Sequence, residues 1–296
     1  MAIASSDDIR ALATIEKSPG YWSSVGRRFL RDPIALIAAT VALGLVLMAV
    51  FAPWLAPADP NQGRMFSRLS PIGTPGYPLG ADELGRDMLS RLIHGARLSL
   101  FMGVTPVLIA FVIGGTIGIV AGYVGGWVNT ITMRVLDVFY AFPSVLLAIA
   151  LSGALGAGIV NGLLSLTVVF IPPIARVAES VTTGVRQLEY VDAARASGAS
   201  SFTIVRVHVL GNVLGPIFVY ATSLISVSMI LAAGLSFLGL GVRPPEAEWG
   251  LMLNTLRNAI YVEPWLAALP GVMIFLTSIS FNLLSDGLRS AMDVKQ

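Results

Sequence analysis

Cysteine is absent from the 296 residues, and histidine occurs only at His94 and His208. The first absence excludes disulfides and thiol chemistry and leaves redox silent about compartment. The second leaves no set of side chains from which to expect a metal site, and no cofactor is expected either. Lysine is confined to Lys17 and Lys295, and no Gly-x-x-x-x-Gly-Lys-Ser/Thr loop is present, so the chain carries no known cradle for ATP phosphates. His-Glu-x-x-His and Gly-x-Ser-x-Gly are missing too, which argues against a hydrolase. Charge is scarce throughout. Asp, Glu, Lys and Arg make up 12% of the chain and hydrophobic residues 55%, against a charged share of about 25% in soluble domains. A net charge of +2 gives no reason to expect a nucleic-acid partner.

Long charge-free runs are what the chain has instead, at 33–58, 98–133, 138–175, 207–242 and 264–285. A bilayer crossing needs about 20 apolar residues. The run 138–175 would measure about 57 Å as one helix, at about 1.5 Å per residue, too long for a single crossing. Gly153, Gly156, Gly158 and Gly162 offer the break. This predicts an all-α transmembrane protein with six spans near Ile34–Leu55, Leu98–Ala121, Met133–Leu155, Ile159–Ala178, Ile217–Leu240 and Trp265–Ser285. Ala56-Pro57-Ala58 mimics a signal-peptide cleavage site, but the apolar run before it is too long for a signal core.

Six spans put both termini on one side. Arg27, Arg28 and Arg31 abut the first span, and most of the 19 Lys and Arg residues fall on the N-terminal side of the membrane, so the termini, the 122–132 turn and the 179–216 loop are expected in the cytoplasm. The outer segment then begins at Pro53, irregular as far as Pro78. Asp82–Ala96 reads as an amphipathic helix, either flat at the membrane surface or solvated and packed on the protein's own outer face, with Asp82–Arg86 and Asp87–Arg91 as i,i+4 pairs on its polar side. Asp137 is expected to pair with Arg134 one turn away, and Glu179 to sit at a helix end. Gly114, Gly118 and Gly122 form a small-residue seam, read as internal packing in preference to a subunit interface. Pro106, Pro143, Pro172, Pro173 and Pro270 permit bends inside spans.

The segment from Gln187 to Asn212 is a polar island in this oily chain. Glu189–Ser197 contains helix formers and no breaker. Gly198 can stop that helix in the left-handed conformation, and Ser200 or Ser201 can cap a second short helix running through Arg206 and His208. The small side chains of Ala193, Ala194, Ala196 and Ser197 would let a partner approach the backbone. A second outer loop, Gly239–Gly250, carries Arg243, Pro244, Pro245, Glu248 and Trp249. It reads either as a docking surface for a carrier protein or as an interfacial Trp anchor.

Three motifs together resemble the second permease subunit of bacterial ABC importers of the dipeptide, oligopeptide and nickel group. They are Asp192-Ala193-Ala194 with Gly198 and then His208-Val209-Leu210-Gly211; Pro78-Leu79-Gly80-Ala81-Asp82-Glu83-Leu84-Gly85-Arg86-Asp87; and Leu235-Ser236-Phe237-Leu238-Gly239-Leu240-Gly241 leading into Pro244-Pro245 and Glu248-Trp249-Gly250. The match runs from about Pro33 to the C-terminus. Asp192 stands where the family has Glu, and Gly211 where it has Pro. The resemblance implies the six-helix importer permease fold in the bacterial cytoplasmic membrane. Residues 1–97 would hold the tail, first span and periplasmic segment, and 98–296 the five-helix permease domain. Implied partners are a sister permease, two ATPase subunits, a periplasmic solute-binding protein and the lipid bilayer. Glu189, Asp192, Ala193, Ala194, Ser197, Gly198 and Ser200 would couple to the ATPases, and Arg243, Pro244, Pro245, Glu248 and Trp249 would face the binding protein. Peptides are the leading substrate, with nickel chelates, opine-like or sugar compounds as alternatives. An ion-coupled secondary transporter is the competing reading, but the spans hold few ionisable residues.

Overall fold

A computed structural model describes residues 21–292; the first 20 residues and the last four, which belong to the expected tails, lie outside that range. Among the described residues the structure is helical, and only isolated bridges such as Gly63–Arg86 and Ala81–Asp87 relieve the loops. A short helix α1 (Tyr21–Phe29) leads into α2 (Pro33–Val50), and a single turn α3 (Ala52–Leu55) follows. Asp32 caps α2 by accepting from the N–H groups of Ile34 and Ala35, and Pro33 sits at the first helical position, where its missing N–H costs nothing. After a loop-built segment come α4 (Met88–Val124), α5 (Gly126–Tyr140), α6 (Ser144–Leu155) and α7 (Ile159–Arg186). The short helices α8 (Glu189–Ala196) and α9 (Ser201–Ile204) precede α10 (Leu210–Phe237). Finally α11 (Trp249–Thr255) leads to α12 (Pro264–Met292).

Five helical stretches are long and apolar enough to cross a membrane, and the pair α5–α6 makes a sixth if it is one span. That pair is bent by 84°. The third span is therefore not the straight Met133–Leu155 helix expected. It starts at Gly126, directly after Gly125, whose φ of +70° turns the chain in one residue. It breaks at Ala141–Pro143, where proline cannot donate to the helix. The break expected between the third and fourth spans is present: α6 ends at Leu155, and Gly156 and Gly158 take positive φ before α7.

The glycine seam is internal. A Cβ on Gly114 would lie 2.7 Å from the carbonyl oxygen of Ile171, one on Gly118 would lie 2.6 Å from the Cβ of Ala178, and one on Gly122 would lie 2.7 Å from the Glu179 carbonyl. So α4 and α7 touch backbone to backbone along about two turns. In lipid this close approach, rather than expulsion of water, is what holds two helices together. Met102, Leu166, Ile174, Ile217 and Met229 fill the core between α4, α7 and α10. Helix α2 lies outside this core against α12, at Ala35 and Gly287, with Ile37 and Leu43 exposed.

The other departures concern charge. Helix α7 runs on to Arg186, so Glu179 lies within it, accepting from Asn129 of α5 and Thr183. Asp137 pairs across to Arg176 of α7 and not with Arg134. That contact depends on how two helices align, which i,i+3 spacing cannot encode. The surface helix expected over Asp82–Ala96 does not form. Asp82–Asp87 is a tight turn, Asp87 caps α4 by accepting from Ser90, and α4 then continues unbroken through the second span.

Candidate functional site

The two ends of the bundle carry the distinctive polar architecture. At one end Arg186 closes α7, and the chain makes an elbow through α8 and α9. Ser197 is the C-cap of α8 and donates its hydroxyl to the Ala193 carbonyl. Gly198 follows at φ +80°, the left-handed conformation the sequence implied. Ser200 then caps α9 by accepting from the N–H of Thr203. Instead of ending after His208, α9 passes through one π-turn (Val205–Val209) straight into α10. Gly211 therefore lies inside a continuous helix.

Three apolar side chains anchor this elbow: Val191, Ile204 and Val209 are all essentially inaccessible. Tyr190 braces it from outside, with its ring 6.0 Å from that of His208 and its hydroxyl accepting from Asn212. What remains outward is the set singled out from sequence. Glu189, Asp192, Ala193, Ser197, Gly198 and Ser200 are exposed and Ala194 half-buried. Asp192 pairs with Arg195 at 2.9 Å on the same helix, an exposed contact worth little by itself. Gly198 has no atom within 4 Å of where a Cβ would sit. Sequence reasoning missed Phe202, which is 75% exposed on α9 beside the elbow. Its signal was available: a large aromatic two residues past the Ser200 cap, next to the turn at Gly198.

The opposite end is capped by the segment between α3 and α4 together with the loop before α11. Arg91 joins them. Its side chain is 2% exposed, and its guanidinium donates to the carbonyls of Pro60 (2.9 Å), Pro245 (3.4 Å) and Glu246 (3.2 Å). Asp82 lies 3.3 Å from the Nε of Arg91 and accepts from Arg86 at 2.6 Å. The expected Asp87–Arg91 surface pair is thus replaced by a buried cluster centred on Asp82.

Glu248 and Trp249 are inside as well, which corrects their reading as docking or interfacial residues. Trp249 is fully buried and donates Nε1–H to the Leu92 carbonyl at 3.0 Å, with Gly95 leaving room for its ring. Glu248 caps α11 by accepting from the N–H groups of Gly250 and Leu251, both at 2.8 Å, and it accepts from the Ser99 hydroxyl. Burial pushes its carboxyl above the usual range, partly offset by those donors, which favour the ionised form. Only Arg243, Pro244 and Pro245 of the expected docking set stay exposed, together with Glu246. Among the described residues no group of His, Asp or Glu could hold a metal ion.

Residues 114–295 match the family described as binding-protein-dependent transport system inner membrane component. Residues 20–71 match the N-terminal transmembrane domain of oligopeptide transport permease C. The chain is 42% identical to the glutathione transport system permease protein GsiD of Pectobacterium atrosepticum, over 93% of this chain and 91% of that protein. It is also 42% identical to the same-named protein of an Escherichia coli strain, over 93% of this chain and 90% of that protein. Among solved structures, the MetNI methionine ABC transporter in inward-facing conformations is similar in fold. Its TM-score is 0.55 at 19% identity, covering 69% of this chain and 97% of that one.

Proposed function

Because this chain belongs to the family of inner membrane components of binding-protein-dependent transport systems, as a permease subunit of an ABC importer, we propose that it forms half of an ATP-driven path for peptide-like solutes. The other half is a sister permease of similar fold. Of two ATPase subunits in the cytoplasm, one docks on this elbow and the other on the sister permease, and a solute-binding protein delivers substrate to the capped end. Both termini are then cytoplasmic, in keeping with the arginines at Arg27, Arg28 and Arg31. The relatives named for glutathione transport and the oligopeptide-permease match at the N-terminus support a peptide-like substrate.

The exposed elbow is the observation that carries this reading. It presents a backbone turn at Gly198 with nothing packed over it, acidic and small side chains around it, and a bare aromatic at Phe202. Buried Val191, Ile204 and Val209 fix it to the bundle, so force applied there passes into α7 and α10. Asp192, Ala193, Ala194 and Gly198 form the contact surface, flanked by Glu189, Ser197 and Ser200, and Phe202 fills an apolar socket on the motor. ATP shifts the permease pair between inward-open and outward-open states only by favouring one of them in binding energy. At the other end, Arg243, Pro244 and Pro245 remain available to the binding protein.

The test is reconstitution of the chain with the neighbouring subunits in sealed vesicles. Uptake of a labelled dipeptide should require both ATP inside and binding protein outside, and a cysteine placed at Ala193 should cross-link to an ATPase. Uptake driven by an ion gradient without ATP would overturn the proposal.

A further inference from the structure

Two clefts open on the same flank of the bundle, and the helical spacing of their linings makes them one trough. Along α10, Pro216, Tyr220, Ser223 and Val227 fall on a single stripe; the first three line a cleft of about 570 Å³ and Tyr220 and Val227 a second of about 350 Å³. Along α7, Phe170 and Pro173 border the second cleft and Val177 the first, again on one stripe. Tyr220 belongs to both and marks where they join. Their combined size is within the range of pockets that hold small organic ligands.

The two halves differ in chemistry. At the 84° bend, Phe139, Tyr140 and Phe142 stand exposed around the second cleft, with Phe170 behind them. The first cleft sets Ser223, Ser285, Asp286 and Arg289 beside the apolar Val177, Pro216 and Val219. Asp286 and Arg289 are both exposed, and neither forms an ion pair among the described residues. They are three apart on α12, which sets their Cβ atoms about 5–6 Å from each other. A free acid and a free base side by side are complementary to a zwitterion. The carboxylate of Asp286 suits an ammonium, and the planar fork of Arg289 suits a carboxylate. Exposed aromatic rings next to them suit apolar side chains and amide faces.

We propose that this trough is the subunit's own share of the translocation path and that it holds a zwitterionic short peptide in transit, its charged ends at Asp286 and Arg289 and its side chains against the aromatic bend. This rests on the reading of the chain as a peptide-importer permease, and it adds a contact that the membrane subunit itself makes with the solute.

The experiment uses the complete importer in vesicles, with Ala-Phe as the uptake substrate and alanyl-benzoylphenylalanine as a photoreactive competitor. Irradiation during ATP-driven uptake is expected to label the 139–144 segment or Tyr220. Asp286→Asn with Arg289→Gln should lower both labelling and Ala-Phe uptake by about tenfold, the low end for hydrogen bonds to charged groups. The charge-preserving pair Asp286→Glu with Arg289→Lys should restore most of it. Unchanged Ala-Phe uptake by the neutralised pair overturns the proposal, as does a competing probe that labels only residues outside the trough. So does cross-linking of the sister permease or lipid to a cysteine at Phe142 and at Ser223 throughout the cycle. If the unaltered complex takes up no dipeptide at all, it is the peptide-importer reading that fails. Robust uptake with labelling elsewhere removes only the trough.

Discussion

Gly198 offers the sharpest perturbation, because the structure separates steric from conformational cost there. No neighbouring atom lies within 4 Å of an added Cβ, so a larger side chain meets open space. Within the subunit itself the penalty is that of holding an L-residue at φ +80°, about 1–2 kcal/mol in the left-handed region. That energy shifts the balance between this elbow shape and an unwound one by about 5- to 30-fold. Valine, branched at Cβ, falls at the upper end, alanine below it, and asparagine, which tolerates this region, costs least. Val191, Ile204 and Val209 stay buried in all three variants, so the subunit should still insert and unfold at nearly the temperature of the parent. The expected order of binding-protein-dependent uptake is Gly, Asn, Ala, Val. Substrate-stimulated ATP hydrolysis should fall in step while basal hydrolysis persists. The assay is uptake and hydrolysis side by side in one vesicle preparation. A valine variant that transports at the parental rate with its ATPases attached would refute the reasoning.

Phe202→Ala should weaken co-purification of the ATPases, by about 2 kcal/mol or about 30-fold if the ring is a buried anchor in the complex; titration of detergent-solubilised permease with purified ATPase measures it. Gly118→Ala should destabilise the bundle by about 1–3 kcal/mol, since the new methyl meets the Ala178 Cβ and backbone atoms that cannot yield. Gly115→Ala, with nothing within 4 Å, should be neutral or stabilising by up to about 1 kcal/mol, and unfolding of both in bicelles should give opposite signs. Trp249→Ala should cost about 3–5 kcal/mol as a core truncation, seen as loss of monodisperse complex, whereas a mere surface anchor would tolerate it. Glu248 predicts a pH effect of definite sign. Its folded pKa is raised, so its contribution is fully present below the unfolded value of about 4.3 and is lost as pH rises towards the folded one. Glu248→Gln should flatten that decline in thermal unfolding across mild acid, and a parallel decline in both proteins would refute the assignment.

Much of the fold could be read directly from residues. Charge-free runs locate the helices because lipid tolerates no unpaired polar backbone and few charges. Gly198 and Ser200 announce the elbow because left-handed turns and N-caps are local chemistry. What escaped is contact between distant segments. Asp137 meets Arg176 because α5 and α7 align, and nothing in the neighbourhood of Asp137 encodes that. Arg91 looked like half of a surface i,i+4 pair, yet it turns inward to carbonyls more than 150 residues away in sequence. Trp249 fits a membrane interface as well as a core by its chemistry, and only the space left by Gly95 decides between them. The trough was illegible for the same reason: its stripes lie on separate helices, and Asp286 and Arg289 look like an ordinary helix end until Ser223 faces them.

Helix α4 carries a mechanical consequence. Its 37 residues form a strut of about 55 Å at about 1.5 Å per residue. One tip reaches Gly125 beside Arg186, and the other is bolted to both extramembrane loops through Arg91. Riveted lengthwise to α7 by three glycines, it cannot slide without its neighbour. A tilt of about 5° imposed at one tip would swing the other by about 5 Å over that length, so a displacement at either end of the bundle is carried to the other.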